Sequence, residues 1–142
     1  MLIEVTDQSI DAGRALDYVR HRSCGAVAFF EGDIRETNEG EAVISLEYEV
    51  YEALFRKVVS QIAAEIKDRW AVHEIAVIQR SGHLQIGDAG IVIAVSSPHR
   101  REALEAVAYL IEEFKKRVPV WKKEHRPGQP KWINWEPQLP QK

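Results

Sequence analysis

The chain is predicted to belong to the α+β class, with a largely antiparallel sheet and three main helices. Short stretches alternate apolar and polar residues as half-buried strands do, and three longer stretches repeat apolar residues at helical spacing. The strands also come in adjacent pairs, with the helices dispersed among them, and this order disfavours a doubly wound parallel sheet.

Residues 2–5 alternate weakly as a first strand, and residues 9–21 carry Ile10, Ala15, Leu16 and Val19 at helical spacing. A compact apolar strand follows at residues 25–30 and runs into Gly32-Asp33-Ile34-Arg35. The polar stretch 36–41, with Asn38 and Gly40, reads as a loop and a mobile flap. In residues 44–50, Ile44, Leu46, Tyr48 and Val50 alternate with Ser45, Glu47 and Glu49, the pattern of a strand with one buried face. The next helix, residues 52–70, spaces Leu54, Val58, Ile62 and Ile66 in steps of four. Residues 72–79 and 90–95 are apolar enough for central strands, and residues 82–87 supply a turn and a short strand between them.

Ser97-Pro98 starts the last helix, the serine as cap and the proline in the first turn, where no amide is needed. Pro119 ends it, and residues 120–124 are extended because residues around a proline leave the helical region. Residues 125–142 contain four prolines and two tryptophans, Trp132 and Trp135, so part of this tail is expected to dock on this chain or a neighbour.

With 142 residues and 45% apolar content, one domain with a proper core is expected over residues 1–132, followed by a proline-containing tail at 133–142. A net charge of -3 gives no bias toward nucleic acid or acidic membranes. No apolar run approaches the roughly 20 residues that cross a bilayer. The N-terminus lacks a basic stretch followed by an apolar core, so a cytoplasmic location is expected. The single cysteine, Cys24, excludes an internal disulfide and reads as a structural thiol ahead of an apolar strand rather than a nucleophile. Five scattered histidines show no metal-ligand spacing, so neither a bound metal nor a cofactor is expected.

Chemistry is suggested first by Lys115. Turning about 100° per residue along residues 98–117 puts Leu104, Val107, Ala108, Ile111, Phe114 and Val118 on one face, with Lys115 inside that arc. Lys116 and Arg117 point away as solvated charges. An ammonium on an apolar face snorkels, pairs with an acid, or has its pKa lowered by desolvation, and each outcome suits a positioned proton donor or nucleophile. The alternative is a helix end that simply frays into water.

Six residues on, Trp121-Lys122-Lys123-Glu124 sends its two lysines to opposite faces of a strand. Lys122 shares its face with Val120 and Glu124 and is the one expected to join Lys115, unless this is merely a charged edge strand. At the start of the last helix, His99, Arg100 and Arg101 add positive charge to an end already made partly positive by its free amides. A phosphate would satisfy them; pairing with Glu102 and Glu105 is the alternative. Arg100 falls on the same arc as Leu104 and Ile111, so it is expected to face inward with Lys115. Arg35, at a strand end, can reach across a cleft or lie solvated. Glu47 and Glu49 share a strand face, which a solvated sheet surface explains more simply than an acid–base pair.

These residues carry a resemblance. Gly25-Ala26 through Phe30, Gly32-Asp33-Ile34-Arg35, Leu46-Glu47-Tyr48-Glu49, Arg80-Ser81-Gly82-His83-Leu84, Gly87-Asp88, Ser97 through Ala103, and Pro119 through Glu124 followed by Gly128 and Trp132 resemble the large, catalytic subunit of molybdopterin synthase. The likeness spans about residues 25–132, and the ordered set is specific although each piece is not. It implies an α/β hammerhead fold and conversion of cyclic pyranopterin monophosphate into molybdopterin. It also implies a small ubiquitin-like subunit whose thiocarboxylated C-terminal glycine delivers sulfur, and a homodimer of large subunits with a small subunit at each end. By matching positions, Lys115 and Lys122 resemble the catalytic lysines. Arg35, His99 and Arg100 resemble the substrate-phosphate and pterin contacts, with Lys123 and Glu124 beside them, and Arg35 is a candidate to reach over from the partner copy. Gln79 departs from the family, which often has histidine there, and reads as peripheral. The competing classes are a non-catalytic binder of a nucleotide or phosphorylated metabolite, which needs the arginines but not the lysines, and an RNA-binding domain, which the acidic net charge disfavours.

Overall fold

The structure, a computed structural model, describes residues 1–128 and the backbone of Glu136–Pro137. Trp132, Trp135 and the docking expected of the tail lie outside the described residues. In chain order the elements are β1 (Leu2–Thr6), α1 (Ala12–Val19), β2 (Ala26–Asp33), β3 (Thr37–Asn38), β4 (Glu41–Ala42) and β5 (Ser45–Val50). Then come α2 (Glu52–Arg69), β6 (Glu74–Arg80), β7 (Gly82–Gln85), β8 (Ala89–Ser97), α3 (Arg100–Arg117), β9 (Val120–His125) and β10 (Glu136–Pro137).

The strands form two four-stranded sheets and a small hairpin rather than one sheet. The first sheet has the order β1-β6-β8-β2; only β1–β6 is parallel, while β6–β8 and β8–β2 are antiparallel. The second has the order β10-β9-β5-β7 and is antiparallel throughout. The expected α+β class with three helices therefore holds, with the antiparallel pairs split between two sheets.

Strands β6 and β8 read as continuous apolar runs because the first sheet is covered on both faces. Ile75, Val77, Ile91, Ile93 and Val95 face the main core with Phe55, Val59, Ile62 and Ile66 of α2 and Leu110 and Phe114 of α3. Ala76, Ile78, Val92 and Ala94 face the other way, onto Ala15 and Val19 of α1. Helix α1 starts where the Asp11 carboxylate accepts from the Gly13 amide at 3.0 Å.

Both long helices are rotated from the expected stripes. In α2 the buried residues are Phe55, Val59, Ile62, Ala63 and Ile66, and Leu54 is 47% exposed. In α3 they are Ala103, Ala106, Leu110 and Phe114, whereas Leu104 is 60% exposed. Reading by side-chain size selects Leu104 and Ile111, but the face against the sheet uses Ala103 and Ala106, whose small side chains allow the helix to lie close. Arg100 consequently is exposed and does not face inward. Nor does Ser97 cap α3: the N-cap is His99 without a side-chain bond, and the Ser97 hydroxyl donates to the His99 carbonyl at 2.5 Å.

Arg117 is not a solvated charge either. It donates to both Glu65 oxygens at 2.8 Å, and Tyr109 donates to the same carboxylate at 2.5 Å, joining α3 to α2. Lys116 is exposed and lies 3.4 Å from Glu113, as a surface charge should.

Candidate functional site

The site lies where the two sheets meet, and a bulge puts it there. In the β2–β8 ladder Gly32 pairs with Ile91 but Asp33 pairs with Ala89, which leaves Gly90 as an extra residue. A Cβ on Gly90 would stand 3.3 Å from the Tyr48 ring and 3.5 Å from the Gly32 carbonyl, so this position takes a glycine for the sake of that ring. Past the bulge, Ile34 donates to the Asp88 carbonyl and accepts from the Gly87 amide, both at 2.9 Å. The chain thus turns off the first sheet, and Arg35 arrives beside β5.

The expected flap is the β3–β4 hairpin. Its turn has left-handed backbone at Glu39 (φ 53°) and Gly40 (φ 80°), as a two-residue hairpin turn of matching twist requires. Its base is tied by the Val43 amide to the Glu36 carbonyl and by the Ile44 amide to the His125 carbonyl, each at 2.8 Å.

Register on β5–β9 decides which lysine enters. Tyr48 stands opposite Lys122 and Leu46 opposite Glu124, so these four share the inner face, while Lys123 pairs with Glu47 on the other. Lys122 is therefore the inward lysine, as its alternation with Val120 and Glu124 suggested, and Lys123 turns away. Glu49 is exposed and Glu47 half-buried, in keeping with a solvated face.

Two small adjoining hollows result. A cavity of about 100 Å³ is lined by Arg35, Asn38, Tyr48, Lys122 and Glu124 among others. A second of about 80 Å³ is lined by Gln79, Gly90, Phe114 and Lys115 among others. Asp33, Ile34 and Tyr48 border both. Lys115 and Lys122 thus sit on either side of one tyrosine. Burial, and then the charge of Lys122, lower the pKa of the Lys115 amine from its ordinary value.

Glu124 is 5% exposed and lies 3.2 Å from the Lys122 ammonium. It also accepts from Asn38 and, at 2.9 Å, from Arg126. Burial alone would raise its pKa, but the donors Asn38 and Arg126 and the Lys122 charge outweigh that and lower it. Arg35 is exposed at the rim of the first hollow and has no ion-pair partner among the described residues. It shares that hollow with Lys122 of its own chain, so no second copy is needed to bring it in.

His99 and Arg100 are elsewhere. They start α3, whereas Lys115 is close to its end, about 22 Å along the axis at 1.5 Å per residue. Both are exposed, and neither side chain has a hydrogen-bond or ion-pair partner among the described residues; Arg101 has taken Glu105 at 3.0 Å. The expectation that Arg100 and Lys115 face one pocket within a single chain is therefore corrected. Nearby, Glu102 Oε2 is buried without a partner among the described residues.

Comparison with known proteins decides the family. The MoaE protein family model matches residues 5–117. The chain belongs to the MoaE family. Among MoaE relatives, molybdopterin synthase catalytic subunit 1 of Aedes aegypti is 45% identical over 123 residues, covering 86% of this chain and 79% of that protein. The molybdopterin synthase structure from Staphylococcus aureus superposes with a TM-score of 0.85 at 37% identity, over 92% of this chain and 96% of that one. The same MoaE fold recurs in a complex of subunits 1 and 2 of molybdopterin-converting factor from Helicobacter pylori, with a TM-score of 0.77 at 23% identity, over 92% of this chain and 88% of that one.

Four residues of the candidate site were not singled out from the sequence as functional. Tyr48 was legible as one beat of an alternating strand and as a member of the Leu46–Glu49 motif, with no role of its own, and Asn38 as a loop residue. Arg126 fell in the tail. Gln79, set aside as peripheral, is 3% exposed and lines the Lys115 hollow, with its amide donating to the Arg80 carbonyl at 2.9 Å. Its signals were its polarity at the end of an apolar strand and its departure from the histidine the family often has there.

Proposed function

We propose that this chain is the catalytic subunit of a molybdopterin synthase. It would transfer sulfur from the thiocarboxylated C-terminus of a small ubiquitin-like subunit to cyclic pyranopterin monophosphate and so build the dithiolene of molybdopterin. The observation that carries the reading is the pair of lysines in adjoining hollows, Lys115 with a lowered pKa and Lys122 held by a carboxylate. A lysine with a lowered pKa holds more neutral amine near neutral pH and so serves as base or nucleophile at the reacting carbons. The ammonium of Lys122, directed by Glu124, polarises the thioacyl carbonyl and stabilises negative charge as sulfur leaves. Arg35, at the mouth of the same hollow, takes an anionic group of the substrate.

His99 and Arg100 join this site from a second copy of the chain. The length of α3 supports this, since it keeps them from their own Lys115. The buried, unpartnered Glu102 oxygen beside them supports it too, because a buried carboxylate oxygen calls for a donor. The working unit is then a homodimer with one small subunit per site. Two sulfurs are needed, so a spent small subunit leaves and a charged one replaces it, and its binding is reversible. A pyranopterin phosphate held by His99 and Arg100 matches the imidazole and guanidinium left without partners, among the described residues, at that helix start.

Incubating the chain with thiocarboxylated small subunit and the cyclic pterin, followed by mass analysis, tests this. Loss of sulfur from the small subunit with appearance of the dithiolene product is expected. Tight binding of the pterin phosphate with no sulfur transfer would instead make the chain a binding module.

A further inference from the structure

We propose that Asn38, on the β3–β4 hairpin, is a positioning residue for Lys122 and acts through Glu124; this rests on the sulfur-transfer reading above. Asn38 Nδ2 donates to Glu124 Oε1, the same oxygen that lies 3.2 Å from the Lys122 ammonium. Glu124 Oε2 is taken by Arg126, with Nε at 2.9 Å and Nη2 at 2.8 Å. A carboxylate offers about four acceptor positions. These four contacts use that capacity, so the group cannot rotate without losing a donor. It is also buried, which makes such a loss costly.

Glu124 was placed beside the substrate contacts by the resemblance, and its geometry suits it to orient Lys122. With both oxygens engaged, it directs the Lys122 amine and leaves the remaining ammonium hydrogens to face the cavity. Asn38 lies 86 residues away in sequence, on an element whose other hydrogen bonds to the rest of the chain, among the described residues, are at its base. Thr37 and Asn38 also wall the Lys122 cavity. Docking of the hairpin and aiming of the lysine are therefore one state. Each exchange of small subunits that opens the hairpin releases the lysine, and closing it restores the aim.

The test uses the full chain carrying Asn38→Ala or Asn38→Asp, with thiocarboxylated small subunit and cyclic pterin, and separates kcat from KM. A misplaced reacting group costs up to about 100-fold in rate, so Asn38→Ala should lower kcat about 10- to 100-fold while KM for either reactant stays within about twofold. Asn38→Asp keeps the shape but sets a carboxylate against Glu124, and should lose more than the alanine variant. Wild-type kcat in both variants, an Asp variant equal to wild type, or an effect confined to KM would overturn the proposal. Lys122→Ala is run alongside. If it is inactive while both Asn38 variants are normal, only the role of Asn38 falls; if it turns over normally, or wild type makes no product, the sulfur-transfer reading falls first.

Discussion

Tyr48 stands directly opposite Lys122 in the β5–β9 ladder and also borders the hollow that holds Lys115. One buried residue is thus common to the walls of the hollow that holds Lys122 and the hollow that holds Lys115. Its place is held from behind by Gly90, where any side chain would press on the ring. Replacing Tyr48 with alanine should merge the hollows and leave a cavity. The expected cost is about 3–5 kcal/mol of unfolding free energy, the range for removing a buried aromatic ring, read by chemical denaturation. Product formation should fall with it even well below the unfolding transition.

Lys115 is kept at some expense in stability. Its folded-state pKa is below the ordinary value of 10.5, owing to burial and the Lys122 charge. Between the lowered value and 10.5 the unfolded chain binds more protons than the folded one, so stability rises with pH across that window. Lys115→Met should remove this slope and raise the unfolding midpoint at neutral pH, while lowering product formation about 10²- to 10⁴-fold, the range for a lost acid–base group. Thermal unfolding over a pH series and initial rates check the two halves separately. A methionine variant with near-normal turnover would take Lys115 out of the mechanism.

The joint between α2 and α3 predicts an acid response. Hydrogen bonds from Arg117 and then Tyr109 hold Glu65 down to a pKa of about 2, from 4.5. A carboxylate with a depressed folded pKa contributes its stability above pH 4.5 and loses it as pH falls toward about 2. Water reaches this pair, so the contribution is partly screened. Glu65→Gln should therefore lower the unfolding midpoint modestly at pH 7, and the gap from wild type should close near pH 2. An unchanged gap at both pH values would show that Glu65 acts through packing alone.

What the sequence made legible follows from what short-range patterns encode. Alternation placed Lys122, Val120 and Glu124 on one face, and the β5–β9 register shows that face turned inward. Helix periodicity placed Lys115 inside the apolar arc, but the stripe itself was misjudged by one position because Ala103 and Ala106 pack closer than Leu104. Glycine and asparagine marked the flap, and the hairpin turn uses Gly40 as expected. The division of strands between two sheets, and the Gly90 bulge at the end of the β2–β8 ladder, show only in the long-range pairing. Arg117 looked solvated because its partner, Glu65, is 52 residues away. Gln79 looked peripheral because nothing local tells that the end of β6 opens onto the Lys115 hollow.

The proposed pairing of Lys115 of one copy with Arg100 of another follows from α3, which holds the two residues apart within a chain. Mixing inactive Lys115→Ala chains with inactive Arg100→Ala chains tests it most directly. Each mixed dimer then carries one intact site, and random exchange of equal amounts should restore about a quarter of wild-type sulfur transfer. No recovery from folded variants that form mixed dimers would contradict the account.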